Sequence, residues 1–157
     1  MEKFLESLEE AEKAIRNLDH MVYITFPLIK DKRLLLKVIQ EIKKSVTDCI
    51  TAILQYEYLF KRVNLSRDPK ENFKIFTEKC APRYSIDRDE ISLISQLFDF
   101  VEKHKASPFE FIKGEKVVIL SESMSQTTLS LDKTKQFLNL AKDILKKTRE
   151  GMRKNVA

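Results

Sequence analysis

Leu35, Ile39, Ile42, Val46, Cys49, Ile53, Tyr56, Phe60 and Val63 recur in unbroken steps of four and three. That spacing lines one face of a helix and fits no strand. It predicts a single rod over 35–63, roughly 45 Å long at 1.5 Å per residue. A mean period near 3.5 favours shallow packing against antiparallel neighbours. The second half, "CITAILQYEYLF", adds Ile50, Ala52, Leu54 and Leu59 on other faces and is expected to be the more deeply buried half.

The rest of the chain supplies neighbours for that rod. Phe4, Leu8, Ala11, Ile15, Leu18 and Val22, followed by Thr25 and Ile29, form one stripe of a first helix. Pro27 cannot donate to the Tyr23 carbonyl and disfavours a helical Phe26, so a kink or break is expected there. Three later starts carry capping signatures: "DPKE" at Asp68, "DRDE" at Asp87 and "SPFE" at Ser107,. The helices they open are expected over 69–80, stopped by Pro82, over 88–105, and briefly over 108–113, ended by Gly114. "KVVIL" (116–120) is the one β-like run, an extended segment that lacks a visible partner strand,. "SESMSQTTLS" reads as a polar loop. A last helix over 131–150 places Phe137, Leu138, Ala141, Ile144 and Leu145 inward and stops at Gly151, leaving a flexible basic tail over 151–157. The expected fold is all-α: one domain over 1–150, a helical bundle of about five helices around one long central helix.

Two glycines and four prolines in 157 residues, with 34% charged and 43% hydrophobic side chains, suit helices and argue against disorder or a turn-rich β fold,. "MEKFLESLEE" is acidic where a secretory signal would be basic and then apolar, and "MVYITFPLI" is too short to span a membrane,. A cytoplasmic protein without membrane contact is expected. Cys49 and Cys80 stand apart, with no CxxC pair and no matching His spacing, so neither a disulfide framework nor a metal site is indicated,. No phosphate-binding or nucleophile motif occurs, and no cofactor is expected.

Charge is unevenly placed. The whole net charge of +5 lies from Ser130 onward, residues 1–129 sum to zero, and residues 1–20 carry −3,. Lys142, Lys146, Arg149 and Arg153 follow steps of four, three and four and make a basic stripe on the last helix. Such a stripe can track a phosphate backbone, or pair with the acidic stretch Glu2–Glu12. Arg16 and His20 share a face of the first helix, beside Asp19 and Tyr23,. A histidine near neutrality beside an arginine can do acid–base work on a phosphodiester; the alternative is a solvated helix edge.

An all-helical chain with long paired helices and an Arg/His pair on one of them resembles the HEPN-type helical bundles, many of which are dimeric ribonucleases. Their hallmark is an Arg followed after four to six residues by a His; "RNLDH" has three intervening residues. The resemblance implies a homodimer and, in a metal-independent ribonuclease, Arg16 and His20 as the catalytic pair. The leading expectation is a non-enzymatic interaction module that binds RNA or another anionic partner through Lys142, Lys146, Arg149 and Arg153. A structural subunit with protein partners only is the remaining alternative. The apolar breadth of Met21–Ile29 and of the second half of the long helix makes a homo-oligomer, with a dimer favoured, the expected state.

Overall fold

The computed structural model describes residues 2–156, with side chains as far as Lys154. The first helix is α1 (Lys3–His20), continued by a widened turn at Met21–Thr25 and the short α2 (Phe26–Ile29). The long central helix α3 spans Leu34–Leu59, about 39 Å by its rise,. Next come α4 (Pro69–Ile75), a second widened turn at Phe76–Cys80, a tight turn at Ala81–Tyr84, and α5 (Arg88–Ala106). Strands β1 (Phe109–Lys113), β2 (Lys116–Leu120) and β3 (Gln126–Leu129) precede α6 (Leu131–Val156). The seam of α3 is covered as its period requires: Leu35, Ile39, Ile42, Val46, Cys49, Ile53 and Tyr56 are all buried. α1, α5 and α6 supply the cover, through Ile94, Leu97, Phe137 and Ile144 among others, together with Phe76 of the second widened turn.

The chain is mostly helical but not all-α. Phe109–Lys113, expected as a short helix, is instead an antiparallel strand on β2, with Phe111 opposite Val118. The capping signature at Ser107 misleads because the backbone after it is paired residue by residue with β2; the Ser107 hydroxyl accepts from the Phe109 amide at 3.2 Å and donates to the Leu120 carbonyl oxygen at 2.7 Å. Gly114, expected as a helix stop, sits at φ 61° in the two-residue turn between Lys113 and Lys116, a hairpin position that glycine fills without strain. The "KVVIL" run therefore has two partners, since β3 arises within the expected loop and pairs Val117 with Leu129. Val117, Ile119 and Leu129 join the bundle core.

Three helix boundaries also differ. The long helix, expected to reach Val63, ends at Leu59, and Phe60, expected on its seam, is exposed. Pro27 neither breaks nor stops the first helix. The Phe26 amide bonds to the Met21 carbonyl five residues back, so the ring falls where the helix has already changed register and lacks a donor to lose. The extra residue carries the inward step from Val22 to Phe26, which is buried, and the next would fall on Lys30, where the helix ends in a left-handed residue. Ile29, expected on the inward stripe, is therefore exposed, as is Leu28. The last helix passes through Gly151 and continues to Val156. Ala157, the end of the expected tail, lies outside the described residues.

Candidate functional site

The two residue groups nominated by the sequence come from opposite ends of the chain and meet on one seam. Asp19 pairs with Lys142, and Glu12 with Arg149. Seven residues forward on α1 match seven residues back on α6, so the helices run antiparallel. Carboxylates of α1 thus neutralise two of the four nominated cations. Tyr23 extends the seam, with Lys135 and Lys142 ammonium groups 5.1 and 5.5 Å from its ring centroid,.

The same register puts Arg16 within one residue of the level of Lys146, between the two closed pairs. Both side chains are exposed, and neither pairs with a carboxylate among the described residues. Arg153 is likewise exposed and unpaired; it borders a groove of about 710 Å³ shared with Phe4, Leu8, Tyr56 and Arg149. Arg149 leaves its Nε buried without an acceptor. His20 is exposed one turn beyond Arg16, its Nδ1 3.5 Å from the Thr25 hydroxyl. The other histidine, His104, has its Nδ1 2.7 Å from the Glu110 carboxylate, which ties the end of α5 to β1.

Beyond this seam lies the apolar stretch Met21–Ile29, singled out in the sequence for its breadth. Leu28 and Ile29 are 81% and 61% exposed, and Tyr23 and Ile24 are exposed beside them. The Lys32–Glu115 pair at 3.6 Å brings the β1–β2 turn, with exposed Ile112, to the same end of the bundle. Large apolar side chains are thus gathered at one end of the folded chain.

Sequence reasoning missed Glu57. It lies among apolar residues of α3, 1% exposed, with Arg62 Nη1 at 2.6 Å and Arg83 Nε at 3.2 Å. The Arg83 contact is close enough for ionic pairing but off the line of a hydrogen bond, since Oε1 has no aligned donor. Burial raises the Tyr84 phenol, and the Glu57 charge adds to it. Its buried hydroxyl has no partner. Burial also lifts the Cys80 thiol to about 11 and the Cys49 thiol to about 12. Both cysteines are buried, as expected of Cys49 from its place on the α3 stripe, and as thiols they are poor nucleophiles. Among the described residues no three His, Cys, Asp or Glu side chains converge as a metal site, and no helix is long and apolar enough to cross a membrane. No protein-family model matches the chain, and no match to it was found among the curated proteins.

Proposed function

We propose that this chain is a non-enzymatic interaction module that presents the rim of the α1–α6 seam to an anionic partner, RNA first among them, and assembles as a homo-oligomer through the tip at Leu28 and Ile29. The observation that carries the anionic reading is the near-common level of Arg16 and Lys146 on the seam: two exposed cations unpaired among the described residues, with Arg153 two turns further along α6. With Lys142 and Arg149 already engaged, three cations remain for phosphate. Three such contacts on a single strand predict a log–log salt slope of about −2. Binding of a labelled single-stranded RNA with that slope, lost in Arg16→Glu with Lys146→Glu, is the expected result. No binding at low salt would leave a module with protein partners only.

The exposed tip carries the assembly half of the proposal. Sedimentation at micromolar concentrations is expected to show a dimer that Leu28→Asp converts to monomer with the melting temperature unchanged; a wild-type monomer at every concentration tested rejects it. The HEPN-like alternative draws on the exposure of both Arg16 and His20 on one face. It requires metal-independent RNA cleavage that disappears in His20→Ala, a variant that leaves the RNA-binding reading intact.

A further inference from the structure

A groove of about 640 Å³ runs between α3, α4 and α5, on neither the seam nor the tip. That volume suits a small-molecule ligand. Its floor is one face of α3, where Ile50 and Leu54 lie, and its mouth is bordered by the exposed Leu65. At one place the walls are aromatic: the Phe73 and Phe98 rings stand 5.6 Å apart between centroids. Two lysines flank this pair. The Lys43 ammonium lies 5.7 Å from the Phe98 centroid, and Lys70 is one turn before Phe73 on α4. Neither lysine pairs with a carboxylate among the described residues. Glu102, also on the wall, is 4.0 Å from Lys105. From Lys43 to Gln55 the α3 face is about 18 Å long, the reach of a long acyl chain.

We infer that this groove binds a linear amphipathic anion of the fatty-acid class, its carboxylate between Lys43 and Lys70 and its chain along Ile50 and Leu54. The lysines supply the charge, and the aromatic pair together with Ile50 and Leu54 supplies the apolar track,. The experiment is a titration of the full chain with cis-parinaric acid, a fluorescent long-chain fatty acid, below its micellar concentration. Saturable binding of one molecule per chain is expected, displaced by palmitate and displaced roughly tenfold less well by cetyl alcohol, which lacks the charge. Lys43→Glu and Lys70→Glu should each weaken binding by a similar factor, and Leu65→Asp should weaken it with the fold intact by circular dichroism. Leu28→Glu, at the tip, should leave it unchanged. Non-saturating uptake, equal displacement by acid and alcohol, or loss of binding in Leu28→Glu would each overturn the assignment.

Discussion

Gly151 lies against the face of the Tyr84 ring: a Cβ added at residue 151 would sit 2.8 Å from Tyr84 Cδ1 and 3.0 Å from Cγ. The glycine is in the body of α6, and Tyr84 is only 2% exposed, so the ring has little room to withdraw. Two effects oppose each other in Gly151→Ala. Helix propensity favours alanine by about 1 kcal/mol, while overpacking a fixed ring costs about 1–3 kcal/mol. We expect net destabilisation of about 1 kcal/mol, read from urea unfolding. In a Tyr84→Leu background the same change should be neutral or stabilising, because the ring that opposes the methyl is gone.

Glu57 sets a second expectation. Removing Arg62 or Arg83 alone leaves the buried carboxylate one partner, and each change should destabilise by about 1 kcal/mol. Removing both strands an uncompensated charge, which costs about 3–5 kcal/mol. A double-mutant cycle should therefore show a joint loss larger than the sum of the single losses.

Asp48 on α3 carries a pH dependence. Burial raises its pKa, the Lys44 charge opposes that shift, and the Glu10 charge adds to it. One of its carboxylate oxygens is buried without a donor. Because the folded-state value lies above the unfolded one, the ionised form is penalised on folding at neutral pH, and protonation relieves the penalty as pH falls. Asp48→Asn should melt at a higher temperature than wild type at neutral pH. The difference should shrink towards about pH 4, where the unfolded carboxyl also begins to protonate.

The cysteines give a chemical readout of packing. Cys49 and Cys80 are both fully buried, with thiols lifted to about 12 and about 11. Native protein should be unreactive to a thiol-disulfide reagent at mildly alkaline pH, and both thiols should titrate once denaturant is added. Rapid labelling in native buffer would mean that the α3 seam opens locally, if at Cys49, or that the turn at Phe76–Cys80 does, if at Cys80.

The helices were legible because their signal is local. The steps of four and three in α3 and the Asp87–Glu90 box at the start of α5, which forms as expected, need no knowledge of distant residues. The sheet was not legible, because Ser107–Glu110 has the form of a helix start and only pairing with β2, as far on as Leu120, decides otherwise. Gly114 is ambiguous for the same reason, since a helix stop and a hairpin turn both use a positive φ. The charge stripe on α6 was visible, but which cations are engaged depends on the α1–α6 register, set by pairs more than 120 residues apart. The widened turn left no trace in the α1 stripe, whose steps of four and three stay regular through Ile29, yet its one extra residue decides whether Ile29 faces in or out.

Because α1 and α6 run opposite ways, Lys3 and Val156 stand at one pole, and Leu28 stands with the hairpin of β1 and β2 at the other. Anchored to a bead or a sensor chip by either terminus, the molecule would hold Leu28 away from the support, like a bulb on a short stem. Immobilisation would then leave that pole open to an incoming chain while crowding the groove beside Phe4.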